Sequence, residues 1–233
     1  MGFWNFLKSI ANTIKSAISS RIEEAETRTD EIKVKDVKIC SRFEYEGDSV
    51  YVYNDDCIKE LNKDNTDFVI CLTRDAKFEI DIKRFTRLNN ESEKKWYNAR
   101  LYVVFKKGFK TDGTSAPKFF QNILPSCRAM DDDSSQVYNL AAFVHDGLYA
   151  CNGEIKEKGA PGNESVGRRC KLTRHECDNI LADLWTKSGL VSDLTANLAE
   201  VGVNLAAGGR DHWDNDSYKC RDDFSVEIEY LGE

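Results

Sequence analysis

The spacing of hydrophobic and polar positions changes character several times along the chain. Near the start, Phe3, Trp4, Phe6, Leu7, Ile10, Ala11, Ile14, Ala17 and Ile18 fall within an arc of roughly 160° when residues are placed at about 100° each. Asn5, Lys8, Ser9, Asn12, Lys15, Ser16 and Ser19 fill the other side, so the spacing predicts an amphipathic helix. Residues 22–31 are polar and read as a helix end plus linker. From Ile32 to Phe105 the period drops toward two. Ile32 and Val34, then Val37 and Ile39, alternate with charges, and β-rich runs follow at 50–53, 68–72, 78–82 and 101–105. Asn, Asp and Gly turns divide these runs, and residues 89–95 read as a charged loop, which together predict an antiparallel sheet.

Beyond Lys110 the pattern turns helical. Thr111-Asp112-Gly113-Thr114-Ser115-Ala116-Pro117 is turn chemistry. Asp131, Asp132, Asp133 and Ser134 offer caps for a helix through Val137, Leu140, Ala141, Val144 and Leu148. Residues 151–170 read as a Gly-rich loop. Thr173-Arg174-His175-Glu176 is a capping box that opens a helix through Ile180, Leu181, Leu184 and Trp185, ending at Gly189. A third helix is predicted from near Ser192 to Gly208-Gly209, and residues 224–231 alternate again. The expected fold class is α+β: an amphipathic helix arm (1–27), an antiparallel β region (32–105), a three-helix unit (106–215) and a C-terminal strand returning to the sheet (216–233).

Composition narrows the functional classes. Of 233 residues, 41% are hydrophobic and 31% charged, which excludes a disordered chain and a membrane-spanning bundle. No apolar run approaches the ~18 residues that a span needs. The formal net charge is −7, which disfavours generic nucleic-acid binding. Against that background the first helix is cationic: Lys8, Lys15 and Arg21 precede the first acidic residue, Glu23. A Phe/Trp face opposite a Lys/Ser face fits a helix lying in a membrane interface, and equally an arm docking on a partner groove or on its own domain. The start lacks a secretory signal pattern, and Phe6 stands where a myristoylation motif needs Ser or Thr. The eight cysteines include no CxxC and read as reduced, mostly core thiols. These features predict a chain that is not exported by a signal peptide and whose first helix can touch a membrane peripherally.

The richest chemistry lies in Ala141-Ala142-Phe143-Val144-His145-Asp146-Gly147-Leu148-Tyr149. On a helix His145 and Asp146 point about 100° apart, with Tyr149 one turn above both. Asp178 shares a turn with Leu181 and Ala182, which sets it inward on the next helix, within reach of His145 across an antiparallel pair. A histidine oriented by a carboxylate suits proton transfer. Asp146 is left for a hard cation. The alternative is a buried polar pair tying two helices together. For Asp112 and Ser115 the alternative is an ordinary Asx/Ser turn with Pro117 fixing the exit. A zinc site from Cys151, Cys170, His175 and Cys177 is the weaker metal reading, because the spacings fit no finger.

Ala-Ala-x-x-His-Asp-x-x-Tyr resembles the active-site helix of phospholipases A2, most closely the short viral version. The resemblance implies that His145 activates water, Asp146 binds Ca²⁺ and Asp178 supports the histidine, with Tyr149 beside them. A second resemblance spans roughly residues 100–215. Thr111-Asp112-Gly113-Thr114-Ser115-Ala116-Pro117, His145-Asp146-Gly147-Leu148-Tyr149, Arg174-His175-Glu176-Cys177-Asp178, then Gly209 and Trp213, are similar in order and spacing to a phage and prophage family of unknown function. That likeness implies that Asp112, as a second metal carboxylate, and Ser115 and Arg174, as supports, join the cluster, and that Cys177 is core. The likeness also implies a protein found in the cytoplasm of an infected host cell or in the virion, and two readings result. One is a phage-type ester or lipid hydrolase, brought to a membrane surface by Phe3, Trp4, Phe6, Leu7, Ile10, Ile14 and Ile18. The other is a non-catalytic phage virion or host-interaction protein in which the cluster is a clamp.

Overall fold

The computed structural model describes residues 30–44, 70–88, 92–111, 131–158, 169–192, 195–196 and 222–232. The first-helix residues, the strand expected at 50–53, and Asp112, Ser115, Gly209 and Trp213 lie outside them. Three long strands begin the sheet: β1 (Glu31–Ser41), β3 (Ala76–Thr86) and β4 (Lys95–Phe105). The last, β8 (Phe224–Gly232), runs antiparallel to β4. Strict alternation assigns their faces. In β3, Phe78, Ile80 and Ile82 point inward between Lys77, Glu79, Asp81 and Lys83. In register, Ile80 faces Leu101 and Leu101 faces Ile228, so each buried row continues across the strands. The outer face carries cross-strand ion pairs, among them Arg100 Nε to Asp81 Oδ1 at 2.5 Å and Lys38 Nζ to Glu79 Oε2 at 3.2 Å.

The sequence changes phase between Val34 and Val37, and the ladder shows why. Val34 pairs with Ile82 and Asp36 with Asp81, leaving Lys35 as the extra residue of a bulge. That bulge lets Ile32 and Val34, then Val37 and Ile39, lie on one face despite the odd spacing. β1 is a sheet edge. Its Val34 N–H donates to Asp183 Oδ2 of a helix at 2.7 Å, which occupies a backbone donor of the kind that invites strand addition.

The sheet is mixed, which corrects the all-antiparallel expectation. Residues 151–170 are not simply a loop: β6 (Glu154–Glu157) runs parallel to β8, and β7 (Arg169–Lys171) runs antiparallel to β6. The order is β1-β3-β4-β8-β6-β7, while β2 (Ile70–Cys71) and β5 (Lys110–Thr111) form a separate two-stranded ribbon. Asn152 (φ 50°) and Gly153 (φ 70°) turn the chain at the end of the preceding helix, and the Gly153 N–H donates to Leu148 O at 2.8 Å. One inward residue, Ile155, then suffices to seat a short charged strand beside β8.

Two helices cover the inner face among the described residues, so the expected three-helix unit is not seen there. Helix α1 (Asp133–Ala150) is capped by Asp132, which accepts from the Ser135 N–H. Helix α2 (Arg174–Lys187) opens on the capping box of Thr173 and Glu176 with both bonds made. Beyond it, Ser192 accepts from the Thr195 N–H at 3.2 Å through its side chain and from the Ala196 N–H at 2.9 Å through its carbonyl; residues 195–196 are helical, and the rest of the third helix expected to Gly209 lies outside the described residues. Tyr138 stacks on Trp185 near one end of the pair, while His145 and Tyr149 meet Asp178 near the other, so α1 and α2 run antiparallel. No helix among the described residues is long and apolar enough to cross a membrane.

Gly147 is required by packing. A Cβ built there would stand 2.5 Å from Cζ of Phe224, whose ring is wedged against Phe105 and Phe109. Gly147→Ala is therefore expected to lower the melting temperature, since ~1–3 kcal/mol of overpacking exceeds the ~1 kcal/mol gained in helix propensity. Adding Phe224→Leu is expected to restore part of the loss, as read by paired thermal melts.

Candidate functional site

The site is assembled where α1 and α2 touch. Successive α1 positions serve different surfaces: Val144 and Leu148 enter the core, Gly147 meets Phe224, and His145, Asp146 and Tyr149 are left on the side toward α2 and β5. Asp178, in the second turn of α2, faces that side with its side chain 0% exposed, against 12% for His145 and 28% for Asp146. The cluster grades from a sealed carboxylate to a carboxylate at the surface.

The imidazole Nε2 lies 3.1 Å from Asp178 Oδ1. The Tyr149 hydroxyl donates to the same oxygen at 2.5 Å, and the Tyr149 and His145 rings have centroids 4.0 Å apart. Arg174 Nε stands 3.7 Å from the other oxygen, Oδ2. The remaining ring nitrogen, Nδ1, is 3.9 Å from Asp146 Oδ1, and the Thr111 hydroxyl donates to Asp146 Oδ2. His145, Asp146, Tyr149, Arg174 and Asp178 are thus brought together.

Burial opposes a charge on His145, but hydrogen bonds and charges from Asp146 and Asp178 outweigh it and push the ring pKa up to about 9. Burial, then the Asp178 charge, push the Tyr149 phenol upward, so it acts as a neutral donor. The Cys177 thiol is raised well above its usual range by burial and then by Asp178 and Glu176, which suits a core thiol.

A calcium ion takes about six to eight oxygens. Asp146, with the Thr111 hydroxyl on its Oδ2, is the one of the two expected metal carboxylates among the described residues, Asp112 lying outside them, and no group of three or more His, Cys, Asp or Glu side chains suited to a metal occurs among the described residues. Cys151, Cys170, His175 and Cys177 form no such group: Cys151 and Cys177 are buried in the core, Cys170 contacts Arg84, and His175 bonds Asn179.

Two contributors were not picked out from the sequence. Thr111 stands at the head of a motif read as a turn, and its role depends on the β2–β5 ribbon lying against α1. Arg84 occupies an inward position of β3, after Ile80 and Ile82, and pairs with Glu176 at 2.7 Å. A charge in an inward phase was its signal.

The raised His145 pKa carries a stability sign. The ring gains its partners on folding, so its contribution is fully present below the unfolded value near 6.5 and is lost as pH rises through about 9. Denaturant melts of the wild-type protein are expected to show a decline over this window, on the order of 3 kcal/mol at the full shift. In His145→Asn that decline should disappear.

Residues 91–203 match a family described as a protein of unknown function (DUF1353), a span that includes α1 and α2 and so all five of these residues. Comparison with curated proteins and with solved structures finds no match.

Proposed function

We propose that the cluster is the acid/base centre of a hydrolase acting on esters, with lipid esters at a membrane surface as the substrate class. The observation that carries this reading is the division of labour on His145. Its Nε2 is held by a buried carboxylate, which leaves Nδ1 as the nitrogen on the side of the partly exposed Asp146. A water at Nδ1 gives its proton to the neutral ring and adds to the ester carbonyl. The ring then returns the proton to the departing alkoxide, giving acid and alcohol. Asp178 and Tyr149 keep the imidazole in one orientation throughout. The likeness of the α1 residues to phospholipases A2 supports the ester class, and the cationic, aromatic pattern at the chain's start supports a lipid surface.

One observation favours the second reading, a clamp in a non-catalytic phage component. Asp178 is wholly buried and engaged from both helices by His145, Tyr149 and Arg174, as a structural tie would be. Stability does not separate the two readings, because losing His145 strands Asp178 in either case. Turnover does. Purified protein is expected to hydrolyse a fluorogenic carboxylic ester and phospholipid vesicles, with kcat/KM rising with pH toward about 9 as the neutral ring becomes populated. His145→Asn, assayed below its melting point, is expected to lose at least about a hundredfold. Absence of any wild-type turnover, with and without added Ca²⁺, would leave the clamp.

A further inference from the structure

Glu176 and Asp178 stand two residues apart at the start of α2, and both are buried. Asp178 belongs to the site, whereas Glu176 turns to the sheet and meets Arg84 of β3. We infer that Arg84 is a positioning residue for the His145–Asp178 pair and acts through Glu176; this rests on the reading of that pair as an acid/base centre.

The argument begins with geometry. Arg84 Nε donates to Glu176 Oε1 at 2.7 Å and Nη2 to Oε2 at 3.2 Å, a two-point grip. Nη2 also donates to the Lys171 carbonyl at 3.0 Å, while Nη1 reaches the Tyr230 hydroxyl at 2.8 Å and Cys170 Sγ at 3.1 Å. One planar group therefore ties β3 to α2, β7 and β8. A two-point grip resists both rotation and sliding of the helix end, which a single charge does not. Glu176 Oε2 also accepts from the Thr173 N–H at 2.7 Å, so the same carboxylate closes the helix cap.

The consequence falls on Asp178. A slide of one residue along α2 moves a side chain ~1.5 Å and swings it ~100°. The 3.1 Å contact with His145 survives only a fraction of that movement. Fixing α2 at Glu176 thus fixes the rotation at which Asp178 faces the ring. Replacing Arg84 with an ordinary inward residue of β3 would leave Glu176 buried beside no counter-charge, and the helix end would have to shift to hydrate it.

The test compares the wild-type protein, Arg84→Lys, and Arg84→Met combined with Glu176→Gln, which removes both charges but keeps a capping side chain. Proton NMR reads the low-field ring N–H of His145, assigned by its loss in His145→Asn. Thermal melts and ester turnover accompany it. The wild-type protein is expected to show the resonance, and both Arg84 variants to fold yet lose it or move it upfield. Turnover should fall about a hundredfold with KM little changed. Retention of the resonance in a folded Arg84 variant overturns the inference. So does its absence from the wild-type protein, or unfolding of both variants, which would make Arg84 a fold-holding residue only. Loss of the resonance in variants of a protein that lacks wild-type turnover supports the positioning role and overturns the hydrolase alone.

Discussion

Two carboxylates taken out of water at the start of one helix constrain much of this structure. Burying a charge costs several kcal/mol unless it is matched by partners of good geometry. Glu176 is matched from the sheet by Arg84 and from its own cap by Thr173. Asp178 is matched from α1 by His145 and Tyr149. The helix start is thereby fastened on two sides, to β3 and to α1. Such pairs add less to stability than apolar packing of the same volume would, and what they supply is a single permitted arrangement.

The apolar core provides the energy that those polar ties direct. Phe43, Phe78, Phe105, Phe109, Phe143 and Phe224 form a chain of ring contacts, with centroid distances such as 4.7 Å for Phe43–Phe78 and 4.9 Å for Phe105–Phe109. This chain joins the segment just after β1 and the strand β8 to the sheet centre and to α1. Gly147 lets α1 approach Phe224 closely, one position after Asp146, so the helix that carries the site is seated on the core. Just beyond the end of β1, Gln136 of α1 bonds both the N–H and the carbonyl of Phe43, at 2.8 and 3.0 Å. Core and site share one helix, which links the position of the ring to the packing beneath it.

The grading of exposure gives the site its character. A carboxylate sealed inside, a ring at the boundary and a partly exposed carboxylate follow one another from the core outward. The same grading keeps the imidazole charged across neutral pH, because both acids raise it more than burial lowers it.

Much of this was written in local pattern. The two-residue alternation of β3 and β4, the phase slip that became the bulge at Lys35, the capping box at Thr173 and Glu176, and the inward setting of Asp178 beside Leu181 all follow from short-range periodicity, which reports which side of an element meets water. The pairing of His145 with Asp178 was also legible, because antiparallel helices bring a C-terminal residue of one to the first turns of the next. Other features depended on contacts between distant segments. The parallel alignment of β6 with β8 joins residues some seventy positions apart, and nothing in Glu154-Ile155-Lys156-Glu157 names its neighbour. Arg84 and Thr111 acquire their partners only when β3 meets the start of α2 and when the β2–β5 ribbon lies against α1. Sequence by itself determined which faces are apolar and where helices begin, since those are local free energies. The tertiary structure alone decided which buried charges meet, because that depends on where distant elements cross.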